Sequence, residues 1–173
     1  SRGEGFCIVQ LDQDGSQFEC YLEQPGATAL APRLAQRMQA GAEQQWQALQ
    51  IASGIARIEA GSSDQFVPQM LNYDVTGHIS FNKGCYTGQE VVARLHYKGR
   101  PKRRLYRAEI APVDISERQE VTPGDPLFCG NSTQAVGNVI NCVATPEGAL
   151  LLLLTSTREG IETGLHLFAN NGP

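Results

Sequence analysis

The sequence of 173 residues lacks long apolar runs: the longest, Ala149–Leu154, holds six residues. A helix needs roughly 20 apolar residues to cross a bilayer, so no helical span and no membrane partner are expected. It also lacks any C-x-x-C pair. Its five cysteines (Cys7, Cys20, Cys85, Cys129 and Cys142) are odd in number and scattered. That spacing argues against a zinc ribbon and against a disulfide framework, and it fits reduced thiols in a cytoplasmic setting. Histidines are few, and neither His78 nor His96 has a second histidine or a carboxylate at ligand spacing, so no metal site is expected. No charged-then-apolar leader opens the sequence as given. Its first residue is Ser1 rather than methionine, which leaves open what precedes it. With 41% apolar and 18% charged residues, the chain has the composition of a folded globular protein rather than a disordered one.

The net charge of −4 conceals an uneven distribution. Between Lys83 and Arg107 stand eight basic residues (Lys83, Arg94, Lys98, Arg100, Lys102, Arg103, Arg104 and Arg107) against one acid, Glu90. The rest of the chain is strongly acidic. A basic segment inside an acidic protein points to a local anionic partner rather than to general nucleic-acid affinity.

Two β-rich runs, 6–11 and 17–22, flank Asp12-Gln-Asp-Gly15 and predict a hairpin. Cys7 and Cys20 are equidistant from that turn, so a regular hairpin sets them opposite each other as small, reduced core residues. Leu30, Leu34 and Met38 recur at helical spacing, and Pro32 is tolerated if that helix starts near Ala31. A second helix is expected over 42–52 with Trp46 and Leu49 on one face. Loops with one strand at 78–81 follow, then a third helix over 88–97 with Val91, Val92 and Leu95 on one side. After Pro101 short strands are expected at 103–110, 135–144, 149–155 and 165–168, with no helix. The fold class is therefore α+β: 1–100 forms an incomplete α/β piece of a hairpin plus helices, and 101–173 a small antiparallel β-barrel.

The chemistry concentrates in Lys83-Gly-Cys-Tyr-Thr-Gly-Gln-Glu90. Thr87-x-x-Glu90 has the form of a capping box, with Thr87 as N-cap. Cys85 then lies just before a helix N-terminus, with Lys83 two residues away and Arg94 on the helix. Both favour the thiolate form. Gly84 and Gly88 permit close backbone approach and unusual φ. The bland alternative is a small packed cysteine beside ordinary surface charges, with Tyr86 as a core aromatic.

These eight residues resemble the K-G-C-Y-x-G-Q-E signature of the YgfZ family, folate-binding proteins related to the aminomethyltransferase of the glycine cleavage system. Trp46-Gln-Ala-Leu, Arg57-Ile-x-x-Gly61, Phe66-Val-Pro-Gln69 with Asn72, Gly77-x-Ile-Ser-Phe81 and Gly137-Asn-Val are similar to that family too. The resemblance covers almost the whole chain and corresponds to about the C-terminal half of a family member. An absent N-terminal half would complete the first piece. It implies that 1–100 belongs to a folate-binding, aminomethyltransferase-like domain and 101–173 to its C-terminal barrel. It further implies tetrahydrofolate as cofactor and a role in iron–sulfur cluster assembly or repair, and through it in tRNA modification. Iron–sulfur proteins are the implied partners. Cys85 matches the family's functional cysteine, and Lys83, Tyr86, Gln89, Glu90 and Arg94 are the candidate ligand-binding residues. Folate carboxylates would suit the basic stretch. The alternative is a one-carbon transfer enzyme, an aminomethyltransferase or demethylase. The aminomethyltransferases supply an acid from an N-terminal half that this sequence lacks, which favours the iron–sulfur branch. A nucleic-acid partner ranks last, because Tyr97 and Tyr106 are the only tyrosines interleaved with the basic residues from Arg94 to Arg107.

Overall fold

The structure is a computed structural model that describes residues 2–3, 5–12, 14–23, 26–112 and 120–167. By contact the chain divides into two compact units, Ser1–Ala42 and Glu43–Pro173.

In the first unit, β1 (Arg2–Gly3), β2 (Phe6–Gln10) and β3 (Phe18–Leu22) form an antiparallel sheet in that order. The expected hairpin is present, but its register differs from the sequence reading. Cys7 pairs with Tyr21 and Cys20 pairs with Ile8, so the two thiols stand on opposite faces. The cause is Asp12. Its carboxylate accepts from the amides of Ser16 and Gln17, and the Leu11 amide donates to the Gln17 carbonyl. Ser16 is thereby drawn into an odd-numbered loop, which moves every partner by one. Those hydrogen bonds, the one from the Ser16 side chain foremost, hold the Asp12 carboxyl below its usual value. Cys20 is exposed rather than a core residue.

Helix α1 (Gly26–Ala35) starts five residues before the expected position, so Pro32 lies inside it instead of in its first turn. Pro32 has no N–H to give to the preceding turn, and the helix ends three residues later. Met38 falls beyond the helix and is exposed, so the Leu30–Leu34–Met38 stripe does not form.

The second unit is built on a five-stranded antiparallel sheet, curled as a half-barrel, in the order β4-β7-β6-β5-β8. Its strands are β4 (Arg103–Ile110), β5 (Pro126–Cys129), β6 (Gly137–Ala144), β7 (Leu150–Thr157) and β8 (Leu165–His166). The fold is α+β, as expected. The sheet is open between its edge strands β4 and β8 among the described residues, so the small barrel takes this half-closed form. β5 went unread because it is four residues long and opens on a proline. Phe168, placed in the last strand by sequence, lies outside the described residues.

The run of leucines in β7 reflects burial on both faces, where alternation is not required. Leu153 packs with Ile51, Ala56, Leu71, Leu105, Ile140 and Val143 on one face. Leu152 and Leu154 pack with Leu127, Val139 and Leu167 on the other. A bulge in β6 lets both faces be served: Val139 pairs with Leu154 and Asn141 with Leu153, leaving Ile140 as the extra residue. Gly137 of β6 pairs with Ser156 of β7, close against the Thr155 carbonyl. A Cβ there would fall 1.8 Å from the Thr155 carbonyl oxygen, so no other residue fits without moving backbone.

Helix α2 (Glu43–Ala52) packs on the first face through Ala48 and Ile51. Leu49, expected inward beside Trp46, is half exposed. Two 3-10 turns, Ala60–Ser62 and Pro68–Leu71, follow. The strand expected at 78–81 is absent. Asn72 takes a left-handed conformation (φ 59°), and the Ile79 amide donates to the Tyr73 carbonyl, which closes the segment into turns. Burial holds the Tyr73 hydroxyl above its usual pKa while it donates to the Ala56 carbonyl at 2.8 Å. The third expected helix is present as α3 (Gln89–Lys98), which stops at Gly99, although Val91 is more than half exposed. A short helix the sequence did not signal, α4 (Arg158–Thr163), is capped by the Thr157 hydroxyl accepting from the Gly160 amide. Six residues are too few to show a helical period.

Because α2 and the turns share the core with the sheet, residues before and after position 100 belong to one compact unit. Among the described residues no helix is long and apolar enough to cross a membrane.

Candidate functional site

The segment 80–88 runs as bends and turns into α3. The expected capping box does not form. Gly88, at φ 83°, is the N-cap, and no side chain caps the helix. A left-handed residue here brings Gln89 back over the chain, which a β-carbon would disfavour. The Gln89 side-chain oxygen accepts from the Tyr86 amide, and the Gln89 amide donates to the Tyr86 carbonyl, both at 3.3 Å. Gln89 thus makes the local side-chain-to-backbone bond that Thr87 and Glu90 do not, tying the turn rather than capping the helix. It fixes the turn that follows Cys85. Cys85 itself is exposed, with its thiol free.

Lys83 places its ammonium 4.8 Å from the centre of the Tyr86 ring, a cation–π contact. Tyr86 is an exposed aromatic rather than a core one. Lys83, Tyr86 and Gln89 share a hollow with Ser80, Phe81, Ala93 and Tyr97, of about 40 Å³. Ligand pockets measure roughly 300–1,000 Å³, so this hollow alone does not fit a pteridine-sized group. Glu90 and Arg94 lie instead on a neighbouring groove with Val91, Ala93, Tyr97 and Lys98. The six candidates thus fall into three places: Cys85 on the loop, Lys83 with Tyr86 and Gln89 around the hollow, and Glu90 with Arg94 on the groove. The structure sets them in one segment but not around one cavity.

The basic stretch also divides. The Arg103 guanidinium donates to the Asn138 side chain and the Ala135 carbonyl, and that of Arg107 to the Ala52 carbonyl. Arg104 bonds the Gln69 carbonyl and pairs with Asp74 at 2.7 Å. These three arginines tie β4 to its surroundings. Arg94, Lys98, Arg100 and Lys102 are exposed, and none hydrogen-bonds or pairs with a described residue. The cations left without a partner among the described residues therefore lie in the 94–102 part of the segment.

Gln69 links this segment to the core. It is 1% exposed, and its side-chain amide donates to the Val92 carbonyl of α3 at 2.7 Å. Its own carbonyl receives Arg104, and Asn72 beside it donates to the Leu105 carbonyl. α3 has no buried residue, so this bond is a principal tether. Sequence reasoning noted Gln69 and Asn72 as matches without a role.

A second polar region was not foreseen. Asn141, buried on β6, accepts from the Arg57 amide (2.9 Å) and donates to the Arg57 carbonyl (3.0 Å) and to the Glu59 carboxylate (2.7 Å). It fixes one wall of a cavity of about 250 Å³ lined also by Glu43, Gln50, Ile55 and Cys142. The signal was an asparagine in the middle of an apolar strand. Burial, with Glu59, Asp125 and Glu120 nearby, pushes the Cys142 thiol up to about 11, and it donates to the Val121 carbonyl. Cys142 is thus an inert thiol, in contrast to the exposed Cys85.

No protein-family model matches the chain. Curated relatives do. The chain is 33% identical over 145 residues to the tRNA-modifying protein YgfZ of Klebsiella pneumoniae, covering 84% of this chain and 43% of that protein. It is 32% identical over 145 residues to the proteins of the same name from Escherichia coli and Shigella boydii, covering 84% of this chain and 44% of each. The chain therefore spans less than half the length of the curated relatives it matches. With a third of positions shared over most of its length, and with a free, exposed cysteine in the Lys83–Glu90 segment, the chain belongs to the YgfZ family.

Proposed function

We propose that this chain is part of a folate-binding accessory protein that supports iron–sulfur cluster assembly or repair, and through it tRNA modification, with the Cys85 thiol as the functional group. The name its relatives carry, tRNA-modifying protein, supports the last element. The observation that carries the reading is the contrast between what Cys85 does for the fold and how carefully its loop is held. Its side chain packs into neither core cluster, yet the paired Gln89–Tyr86 hydrogen bonds, the left-handed Gly88 and the Gln69 tether fix the backbone that presents it. An exposed thiol on a fixed loop suits transient contact with sulfur, a cluster or another thiol. Tetrahydrofolate enters from the family alone. The motif residues do not enclose a pocket of its size by themselves.

The experiment is complementation of a strain lacking the family member, with the intact protein carrying Cys85→Ala and the activity of an iron–sulfur enzyme as readout. The expected result is normal protein level with loss of cluster-enzyme activity. Full rescue would remove Cys85 from the function. A fluorescence titration of the intact protein with tetrahydrofolate tests the cofactor, and absence of binding overturns that element alone.

A further inference from the structure

We propose that the outer side of α3 and the chain that follows it, from Arg94 to Lys102, form a docking surface for single-stranded RNA, with Tyr97 stacking on a base and Lys98, Arg100 and Lys102 following the phosphates. The inference goes beyond the function proposed above, and it is tested on side chains that the Cys85 experiment does not touch.

Three observations meet at this place. The first is charge without internal partners. Arg103, Arg104 and Arg107 are consumed by the fold, whereas Arg94, Lys98, Arg100 and Lys102 are exposed and unpaired among the described residues. Lys98, Arg100 and Lys102 are evenly spaced along the chain as it leaves the helix.

The second is an aromatic ring held ready. Tyr97 is 68% exposed. Phe81 and His96 stack on each other at 3.6 Å and 13°, and Tyr97 stands nearly perpendicular to both, at 68° and 79°. Those contacts position the ring, and among the described residues no other ring stacks parallel to it. The sequence hides this arrangement because Phe81 lies fifteen residues before His96.

The third is space. A groove of about 590 Å³ is lined by Glu90, Val91, Ala93, Arg94, Tyr97 and Lys98. It therefore offers one aromatic ring, the small side chain of Ala93 and two cations one helical turn apart, room enough for a nucleotide. Cations alone attract any polyanion, but stacking on an exposed aromatic beside them selects for bases. An acidic peptide would use the lysines and leave Tyr97 idle.

The test is fluorescence anisotropy of a labelled oligouridylate of about a dozen nucleotides with the 173-residue chain, over a salt series from about 50 to 200 mM. Binding is expected to weaken with salt, with a log–log slope of about −0.7 for each phosphate contacted. The triple variant Lys98→Gln/Arg100→Gln/Lys102→Gln should reduce that slope by about two. Tyr97→Leu should weaken binding about ten-fold and leave the slope unchanged. Both variants alter exposed side chains, and circular dichroism confirms their folding. Three results overturn the proposal: no binding at the lowest salt, competition by polyglutamate of matched charge as effective as unlabelled RNA with Tyr97→Leu silent, or saturation by uridine monophosphate as tight as by the oligomer.

Discussion

The curled sheet and the α3 segment belong to the same compact unit but are held in opposite ways. In the sheet, Val139, Ile140, Leu152, Leu153 and Leu154 are buried on two faces, and Gly137 leaves no room for a side chain. α3 has no fully buried residue, its apolar Val92, Ala93 and Leu95 being only half-buried, and its helix cap is a glycine with no capping side chain. Apolar burial fixes the first. A few hydrogen bonds, from Gln69 and Gln89, fix the second. Stability therefore rests mainly on the sheet, while the chemistry proposed above falls on the segment before α3, and substitutions should separate the two.

The largest effect is expected in the sheet. Gly137→Ala forces a methyl group into the Thr155 carbonyl, which is backbone and cannot rotate away. It should cost more than about 3 kcal/mol in chemical denaturation. A loss below about 1 kcal/mol would mean the strands can part there without penalty. Asn141→Ala comes next. It strands the Arg57 main chain and the Glu59 carboxylate, and about 1–3 kcal/mol should be lost. Gln69→Leu should show its effect locally: amides of α3 exchange faster with solvent, while the global transition moves by only about 1 kcal/mol. Uniform exchange across the unit would instead make Gln69 an ordinary core residue.

Cys142 gives a pH test of the same contrast. The folded thiol keeps its proton up to about 11, whereas an ordinary thiol releases it near 9.0. Between those values the unfolded state binds fewer protons, so this group's contribution is complete below the lower value and declines as pH rises toward the upper one. Cys142→Ala should flatten that part of the stability profile, and alkylation at neutral pH should mark Cys85 well before Cys142. The smallest effect is expected at the motif itself. Cys85→Ser should change stability by no more than about 0.5 kcal/mol, as an exposed position does. A larger loss would give Cys85 a structural role and weaken the division drawn here.

Much of this architecture is legible in the residues. The hairpin, α2, α3 and the main strands follow from periodicity and turn chemistry, and the leucine run of β7 announces a strand covered on both sides. The misreadings share a cause. Register in the hairpin, the cap of α3 and the turns at 72–79 each depend on where one polar side chain or one left-handed residue sends its hydrogen bond. Asp12, Gln89 and Asn72 have several partners available within a few residues, and spacing cannot choose among them. At the proposed site, the sequence singles out the segment that carries Cys85. The sorting of eight cations into three struts and an exposed remainder needs the tertiary fold, because the acceptors on Asn138, Gln69 and Ala52 are 30 or more residues away.

The bulge in β6 ties chain length to side-chain sorting. Ile140 is the residue by which β6 outnumbers its partner strand, and it and Asn141 both serve the face that meets α2, one in the apolar core and one on the Arg57 backbone. Removing a single residue there would not merely shorten the strand. It would force one position to choose between greasy and polar duty, so a frameshift-free deletion at 140 should be tolerated far less well than one in the turn at 145–148.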